Sequence, residues 1–423
     1  MIEKGTRTLS GFGTALLWAG VAVSVSEIWA GSLLQDAGLF AGLLIIVIGH
    51  LFGGLVLSAS GTMGTRYGIM SMQSTRMVLG NRGSIIPSLL NVFQLVGWAT
   101  IMLALSGSIG ASVGHNLGVP FNSKAFWVLL IGAGTLAWSF LVGSSKLQWV
   151  HTVVIIGLVL ISALMTWIAL NPHYYTMKPA AAESFSFTRG MRLMDLVIVM
   201  PISWVPLISD YSRLTKSERG GFWGSFWGYG IVSCWMYGIG LVISLATGTE
   251  DPAANILRLM GTLGLTIPAV VLVFASTMTS DFPDIYSSAC SLFNINSKIK
   301  PAWTMWGTGI LTIILALFFD LSRFETFLNV VGAFFIPLFA ILLTDYFLIR
   351  RQDLTGLDFT VGSGMNFSGG FRISGLLVWG IGTFIYFFAR AVDCPLGASI
   401  TAFLASSVIY LLLEKRINHS KNV

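Results

Sequence analysis

Long uninterrupted runs of apolar residues, separated by short polar, glycine- or proline-containing stretches, make up most of this chain of 423 residues. A helix needs about 20 apolar residues to cross the hydrocarbon core of a bilayer. Charged residues are 10% of the chain, against roughly 25% in a soluble domain. The apolar–polar alternation of a membrane β-barrel is missing. The sequence therefore predicts an all-α membrane protein with the lipid bilayer as its surroundings.

The apolar runs predict twelve membrane-spanning helices. Their ends carry errors of about two to four residues, and they cover residues 11–34, 38–60, 84–113, 124–143, 149–170, 193–212, 222–247, 263–290, 302–319, 325–349, 373–390 and 395–414. The connections 61–83, 171–192 and 352–372 are the longest, and each is too short to fold as a separate domain.

The distribution of Lys and Arg predicts the orientation. Of the 24 basic residues, seventeen fall on the side that carries the N-terminus and seven on the other side. Cytoplasmic loops are the ones enriched in Lys and Arg, so we expect both termini in the cytoplasm, in a bacterial inner membrane. The basic residues form no compact patch with interleaved aromatic residues, and nucleic acid is not an expected partner.

One polar stretch interrupts the eighth predicted span at membrane depth. It runs from Ser276 to Tyr286 and contains two carboxylates, Asp281 and Asp284, beside Pro283. A proline removes a backbone donor and crowds the preceding turn, which predicts a discontinuous helix here. An Asp at mid-helix costs about 2.5–3.5 kcal/mol on insertion scales, so such acids usually face a cavity or a partner. The stretch predicts a binding site for an ion and a small polar solute.

Two further spans have features of broken helices. The first span has small and hydroxyl residues from Gly20 to Trp29, including Ser24, and the sixth has Pro201 and Pro206 around Ser203. Interrupted helices at corresponding places in two halves of a chain indicate a transporter site built by inverted repeats. Because proline is common in membrane helices, helix packing is the alternative explanation.

Glu27 is the sharpest candidate for a substrate contact, because an acid inside a span usually marks a working site. The alternative is an acid near the interface whose side chain reaches water. Trp98 and Trp204 are candidate stacking partners for a flat ring, although most of the tryptophans are expected at the membrane interfaces. Gln94, one helical turn before Trp98, is expected to reach the same cavity.

Three hydroxyls in the polar stretch predict a cation site. Ser276, Thr279 and Ser280 are spaced so that they share one helix face. A hard cation takes several oxygen ligands, and the carbonyls of a broken helix can supply the rest. The alternative is that these hydroxyls bond to the preceding helical turn.

Other function classes lack support. The chain has no His-Glu-x-x-His, no Gly-x-Ser-x-Gly and no phosphate-binding loop ending in Gly-Lys-Ser/Thr, so an enzyme or an ATP-driven pump is not expected. A channel would need a continuous polar lining, whereas the polar residues here cluster at one depth. His50 and His115 are interpreted as structural histidines.

Five motifs connect the chain to a known family. They are Ile28-Trp29-Ala-Gly31, Pro87-Ser-Leu-Leu90 with Val96-Gly97-Trp98, Ser209-Asp210-Tyr-Ser-Arg213, Thr279-Ser280 with Ile285-Tyr286, and Thr344-Asp345-Tyr-Phe347. Over nearly its whole length the chain resembles the nucleobase–cation symporters, the family of cytosine permease and the hydantoin transporter. Within that family it looks most like the branch proposed to transport hydroxymethylpyrimidine, a thiamine precursor.

The resemblance implies a LeuT-like core of five plus five inverted-repeat helices. The core would cover residues 1–349, with repeats at about 11–170 and 193–349, and residues 350–423 would add two helices and a tail. It also implies a sodium site and a ring-stacking tryptophan at Trp98. The sodium ligands would be the Gly20 and Val23 carbonyls with Ser276, Thr279 and Ser280.

Two departures from the family pattern bear on the substrate. The aromatic residue of helix six falls on Pro201, so Trp204 is expected to replace it, and the amide position of helix three falls on Leu95, with Gln94 beside it. A carboxyl group can pair with both the ring nitrogen and the amine of an aminopyrimidine. We expect Glu27, Asp281 or Asp284 to make this contact, with Glu27 first and with Ser24 and Ser203 lining the same site.

The sequence thus predicts a secondary active transporter, with no cofactor, that works as a monomer. Its predicted cargo is a small planar N-heterocycle, first of all hydroxymethylpyrimidine, imported with sodium by alternating access. The alternative is a permease for cytosine, another nucleobase or hydantoin, coupled to protons because the same acids can titrate when desolvated.

Overall fold

The computed structural model of the chain is built from α-helices. The structure describes residues 7–118, 120–141, 148–171, 186–249, 264–359 and 367–421, with residues 173, 255 and 261, and none of these lies in a β-strand. The α-helices are α1 (Gly11–Ala22), α2 (Val25–Ser32), α3 (Gly38–Tyr67), α4 (Ser71–Ser74), α5 (Arg76–Gly83), α6 (Ile85–Asn116), α7 (Lys124–Leu141), α8 (Gln148–Leu170), α9 (Phe187–Ser203), α10 (Val205–Ser212), α11 (Glu218–Thr247), α12 (Thr266–Ile295), α13 (Pro301–Phe318), α14 (Phe324–Leu343), α15 (Ile373–Ala391) and α16 (Gly397–Lys421). Short 3₁₀ helices lie at Gln35–Ala37, Leu321–Arg323 and Ser368–Gly370, and a π-helical segment lies at Thr344–Ile349.

The helices confirm the predicted twelve-span fold. Among the described residues, 10 helices are long and apolar enough to cross a membrane, and the bent pair α1–α2 makes up to 11. Helix α8 occupies the remaining predicted span. Outward side chains of α3 such as Phe40 and Leu44 are 84% and 52% exposed, as lipid-facing residues are. The division into repeats at 11–170 and 193–349 stays a prediction.

The two faces of the helix bundle are named by residue 7: the face that carries it is the proximal face, and the opposite one is the distal face.

The first span is broken, as predicted. Helices α1 and α2 meet at an angle of 59°, and Val23 and Ser24 between them lie outside helical geometry. Ser24 caps α2 by accepting a hydrogen bond from the Glu27 backbone N–H. An N-cap serine satisfies one of the free donors of a helix start, so Ser24 is what allows a new helix to begin in mid-membrane.

The sixth span is less broken than predicted. Helices α9 and α10 are separated only at Trp204, which keeps helical backbone angles, and Phe187–Ser212 forms one span without a sharp bend. Pro206 lies in the first turn of α10, where its missing N–H costs nothing and its fixed φ suits a helix start. Pro201 lies inside α9, two residues before that helix ends. The two prolines therefore flank a local irregularity at Trp204, whereas a true break occurs in the first span.

The prediction of a discontinuous eighth span is wrong. Helix α12 continues from Thr266 to Ile295 with Pro283 inside it. Proline removes one backbone donor, and helices in membranes tolerate this where neighbouring helices re-satisfy the freed groups. Here α12 packs against α6, α7 and α13 along its length, and that packing outweighs the local effect of the ring.

The predicted connection 61–83 is also more helical than expected. Helix α3 continues to Tyr67, and α4 and α5 follow it. The Ser71 N–H donates to the Asp210 carboxylate at 3.1 Å, and the Ser71 hydroxyl accepts from the Ser209 N–H at 2.8 Å. These bonds hold the end of α10 at the proximal face.

Helix α11 is the centre of one group of helices and packs against α1, α2 and α3. A Cβ on Gly31 would lie 2.2 Å from the Tyr237 carbonyl oxygen, and one on Gly240 would lie 1.9 Å from that of Ile28. The backbones of α2 and α11 therefore touch, which glycine alone allows.

Helices α6 and α12 form a second closely packed pair. Asn91 donates to the Ser291 hydroxyl at 2.8 Å near the proximal end, and Ser106 is hydrogen-bonded to Thr277 further along. The two bonds define an antiparallel register. Asp281 and Asp284 lie between them on the same stripe of α12, level with the turn of α6 from Trp98 to Met102.

The last two helices attach to the core through Asp345. Its carboxylate accepts hydrogen bonds from Arg372 at 3.1 Å and from Tyr410 at 2.8 Å, and it pairs with Arg350. Helix α14 is thereby tied to α15 and α16 at the proximal face.

Candidate functional site

Most of the predicted site residues lie where the first and sixth spans meet α6 and α12. The Ser276 hydroxyl donates to the Val23 carbonyl oxygen at 3.4 Å, which joins α12 to the break of the first span. Gln94 donates to the Ser203 carbonyl oxygen at 2.8 Å, which joins α6 to the sixth span just before Trp204. The rings of Trp18 and Trp204 pack edge to face at 6.2 Å and join the first span to the sixth. These contacts connect the four spans to one another.

Asp281 and Asp284 are buried, at 1% and 3% exposure. Both carboxylate oxygens of Asp281 and Oδ1 of Asp284 have no hydrogen-bond partner among the described residues. A buried carboxylate without partners is costly, and such groups usually have a ligand, a proton or water. These two acids are consequently the groups in this region with the most unused binding capacity.

Gln94 links α6 to the sixth span, and its predicted place in the same cavity as Trp98 stays a prediction. Its amide nitrogen donates to the Asn91 side chain at 2.9 Å and to the Ser203 carbonyl, while its Oε1 atom has no described partner. The Ser203 hydroxyl bonds back to the Met200 carbonyl at 2.7 Å, so Ser203 contributes through its backbone. Asn91 was not among the predicted residues; a second amide one turn from Gln94 in an apolar span was the available signal.

Two tryptophans present indole groups at this level. Trp98 is 7% exposed, and its ring packs edge to face with Phe324 and Phe327. Trp204 lies at the irregularity of the sixth span, against Trp18. Neither the Trp98 nor the Trp204 indole N–H has a described acceptor. Buried indole N–H groups usually find a partner, so both can donate to a ligand.

The oxygen atoms predicted to bind sodium lie at the first break. The Ser24 N–H donates to the Ala22 carbonyl, and the Glu27 N–H donates to the Ser24 hydroxyl. In an unbroken helix these two donors would bond to the carbonyls of Gly20 and Val23, so the break releases both oxygens. This is the chemistry that a hard cation requires.

The hydroxyl groups of α12 that were predicted as cation ligands differ in how free they are. Ser276 approaches Val23, and the Ser280 hydroxyl is buried with no described partner. The Thr279 hydroxyl bonds back to the carbonyls of Ala275 and Ser276. A hydroxyl that donates its hydrogen keeps its lone pairs, so Thr279 remains available as a ligand. The sodium set stays a prediction.

Glu27 points away from the α6–α12 pair and into α11. It is 1% exposed, and its two carboxylate oxygens lie 2.6 Å from the Tyr229 and Ser233 hydroxyls. The Ser24 hydroxyl bonds to Ser26 at 2.7 Å. A bidentate contact between Glu27 and an aminopyrimidine would therefore require two short hydrogen bonds to break. That contact stays a prediction, and Asp281 and Asp284 are the freer carboxylates.

Aromatic pairs lie on both sides of the break in the first span. On the distal side, Trp29 stacks on Phe324 with ring centroids 4.1 Å apart. On the proximal side, Tyr211 packs edge to face with Trp18 and lies 5.8 Å from Tyr286, ring to ring. The structure thus has a distal and a proximal aromatic layer, with the break of the first span between them.

Comparison with known proteins identifies the family. Residues 1–413 match the family described as permease for cytosine/purines, uracil, thiamine, allantoin. The chain belongs to this permease family. The prediction of a nucleobase–cation symporter relative is thereby confirmed, and relatives that are transporters agree with the expectation that the chain is not an enzyme.

Characterised permeases resemble the chain at low identity. A purine-uracil permease of Arabidopsis thaliana is 26% identical over 382 residues, which cover 82% of this chain and 63% of that protein. The cytosine permease of Escherichia coli K12 is 24% identical over 316 residues, covering 73% of this chain and 71% of the relative. A hydantoin permease of Microbacterium maritypicum is 21% identical over 374 residues, covering 82% and 75%.

Solved structures confirm the fold. Mhp1, a nucleobase-cation-symport-1 family transporter in a closed conformation with bromovinylhydantoin bound, has a TM-score of 0.83 at 17% identity, covering 99% of this chain and 94% of that one. A Na⁺-coupled sialic acid symporter has a TM-score of 0.67 at 13% identity, covering 97% and 90%. The fold of this permease-family chain is therefore the LeuT-like one that the resemblance implied.

Proposed function

We propose that this chain imports a small planar pyrimidine-type compound with a cation, by alternating access, and that hydroxymethylpyrimidine is the first candidate. The observation that supports this most is the pair of unpartnered carboxylates, Asp281 and Asp284, which are buried level with Trp98 between α6 and α12. A carboxyl group pairs with an aminopyrimidine edge through two hydrogen bonds. An indole beside it offers a stacking surface for the ring.

The alternative substrates are those of the relatives. The family description covers cytosine and purines, uracil, thiamine and allantoin, and one relative is a hydantoin permease. These rings are also flat and polar at their edges. Uracil and hydantoin present N–H and carbonyl groups without an exocyclic amine, so an amide such as Gln94 would suit them better than an acid.

Competition of labelled hydroxymethylpyrimidine uptake tests the choice. In proteoliposomes, unlabelled hydroxymethylpyrimidine and cytosine, which have the amine, are expected to compete better than uracil and hydantoin, which lack it. They are also expected to compete better than thiamine, which has the amine but carries an additional thiazolium ring. Absence of saturable uptake for every one of these rings would contradict the transport proposal. Conversion of the label would point to an enzyme instead, and uptake that does not saturate would point to a channel.

Sodium is proposed as the coupling ion because the first break releases the Gly20 and Val23 carbonyls opposite Ser280. Replacement of external sodium by choline at fixed pH is expected to abolish accumulation. Accumulation that persists in choline and follows a pH gradient would assign coupling to protons.

The membrane placement completes the proposal. We place the protein in a bacterial inner membrane as a monomer with both termini in the cytoplasm, on the basis of the Lys and Arg asymmetry. The proximal face would then be cytoplasmic. Labelling of single cysteines introduced at positions 82 and 323, on opposite faces, by a membrane-impermeant reagent in intact cells tests this orientation.

A further inference from the structure

We propose that Glu27, Ser233 and His50 form a proton-binding site in mid-membrane, which holds one proton shared between the carboxyl and imidazole groups through the serine hydroxyl. The inference rests on the proposed transport function and deepens it, because it assigns a proton site apart from the oxygens predicted for sodium. In the sequence, His50 has the pattern of a structural histidine, and nothing marks Ser233 or Tyr229.

The geometry is a chain of short hydrogen bonds across three helices. Tyr229 donates to Glu27 Oε1 at 2.6 Å, and Ser233 Oγ lies 2.6 Å from Glu27 Oε2. His50 Nε2 lies 2.6 Å from the same Ser233 oxygen, and His50 Nδ1 lies 2.8 Å from the Ile46 carbonyl oxygen. All four side chains are at most 2% exposed.

A count of hydrogens shows that one proton must be added. The Ile46 carbonyl can only accept, so His50 Nδ1 carries a hydrogen. With ionised Glu27 and neutral His50, the tyrosine, the serine and Nδ1 supply three hydrogens for four hydrogen bonds. Ser233 has a single hydrogen and cannot donate to both Glu27 Oε2 and His50 Nε2. The fourth hydrogen is therefore an additional proton, on Glu27 or on His50.

The added proton has two possible positions. If Glu27 carries it, Glu27 donates to Ser233 and Ser233 donates to His50 Nε2. If His50 carries it, the imidazolium donates to Ser233 and Ser233 donates to the carboxylate. A shift of two protons, from Glu27 to the Ser233 oxygen and from Ser233 to His50 Nε2, converts the first arrangement into the second, and both have zero net charge. A neutral network suits a depth at which an isolated charge is expensive.

Other groups around the acid cannot neutralise it. Within the described residues Glu27 makes no ion pair with Lys or Arg. The remaining titratable groups near it are Tyr229, Cys234 and Tyr237 of α11, and His50 of α3 is reached through Ser233. None of the α11 groups carries positive charge, so the proton on Glu27 or His50 is what keeps this region neutral.

Proton release would change how the half-helix α2 is held. Without the added proton, Ser233 can serve only one of its two partners, and Glu27 is left ionised. One link of the chain that joins α2 through α11 to α3 is then lost. Movement of α2 at the first break is the step that would admit water to this site, so protonation and the position of α2 are coupled.

Spectroscopy on the intact protein tests the site without any ligand. In infrared titrations near neutral pH, wild-type protein is expected to show a protonated carboxyl band that is absent in Glu27→Gln. If the proton resides on the histidine, ¹⁵N NMR is expected to show His50 doubly protonated. His115→Gln, at an exposed position, is the control for assigning the His50 signal. An ionised Glu27 together with a neutral His50 would overturn the proposal.

Transport measurements test what the site does. Glutamine can donate to Ser233 and accept from Tyr229, so Glu27→Gln imitates the protonated acid and is expected to fold. It should bind the heterocycle as the wild type does and lose the response of uptake to a pH gradient. Loss of binding in folded Glu27→Gln would instead support a direct ligand contact and overturn the proposal. If the wild type binds and transports no heterocycle, the transport function fails, and the spectroscopic result still decides the proton site.

Discussion

The buried polar residues of the site differ in whether their hydrogen-bonding groups already have partners within the protein. Glu27 and His50 have short partners within the protein, whereas Asp281, Asp284 and the Ser280 hydroxyl have none among the described residues. In a low-dielectric interior an unmet polar group is costly. A ligand or ion that binds here can therefore form the hydrogen bonds or ion contacts that Asp281, Asp284 and Ser280 do not form within the protein. Glu27, whose oxygens already accept hydrogen bonds, is expected to have a different role.

Asp284→Asn tests this difference at one position. A hydrogen bond to a charged group is worth about 1.5–3 kcal/mol, so uptake at low substrate concentration is expected to fall about ten- to hundred-fold. Initial rates in proteoliposomes measure it, with the amount of folded protein checked by size-exclusion chromatography. Asp353→Asn, at an exposed position outside the spans, is the control. Unchanged uptake by both variants would remove Asp284 from the site.

Polar residues buried in the membrane could be predicted from the sequence where their position inside an apolar span was the only clue needed. An acid or a hydroxyl in an apolar span is conspicuous, and Glu27, Asp281, Asp284 and Ser280 were found in that way. Their partners were not predictable, since Glu27 bonds to residues more than 200 positions away. The packing of α2 on α11 was needed to show that the Glu27 side chain points toward α11 and away from α6 and α12.

Whole elements show where local rules fail and where they hold. The break predicted from small residues in the first span occurs, beside Ser24, which caps the new helix. The break predicted from prolines in the sixth span is reduced to a local irregularity at Trp204. Pro283 suggested a third break that does not exist, because α12 is enclosed by neighbouring helices. A single proline decides the course of a helix only where packing leaves it free to do so.

The contact of α2 with α11 provides a matched pair of substitutions. In Gly240→Ala the new Cβ would lie 1.9 Å from the Ile28 carbonyl oxygen, so the helices must separate. We expect a clear loss of thermal stability and of uptake. In Gly238→Ala, on the same helix, the Cβ meets nothing within 4 Å, and alanine is better than glycine in a helix by about 1 kcal/mol. Thermal unfolding in detergent compares them; equal melting temperatures would contradict the close contact.

Removal of the proline in α12 tests the corrected interpretation. Because α12 is continuous, Pro283→Ala restores a backbone donor without changing the path of the helix. We expect melting temperature and uptake close to those of the wild type. A severe loss of uptake with normal folding would mean that the missing donor at Pro283 has a functional purpose.

In the molecule as a whole, buried charges connect segments that are far apart in sequence at the proximal face. Arg76 of α5 donates to the Phe359 carbonyl at 2.8 Å and to the Asn294 carbonyl at 2.9 Å. Burial lowers the pKa of Arg76 from its ordinary value to about 10. The folded state therefore holds this proton less tightly than the unfolded state. The cost of the buried charge is constant below about pH 10 and is relieved only above it, so Arg76 gives no pH dependence near neutrality.

Arg76→Lys tests this connection. A lysine keeps the charge but cannot reach two carbonyls in the fixed geometry of a guanidinium. Loss of one charge-assisted bond, about 1.5–3 kcal/mol, is expected to lower the melting temperature. Arg82→Lys, at an exposed position of the same helix, is the control. Equal unfolding of the two variants would show that Arg76 does not hold these segments together.

The stack of Trp29 on Phe324 has a consequence for the protein without bound substrate. An aromatic pair contributes about 0.5–1.5 kcal/mol beyond the area it buries. On its own, a pair of that strength favours the stacked arrangement by a factor of about 2 to 12, using about 1.4 kcal/mol per factor of ten. The stack alone therefore does not hold the empty protein in one state, and thermal motion is enough to separate the two rings.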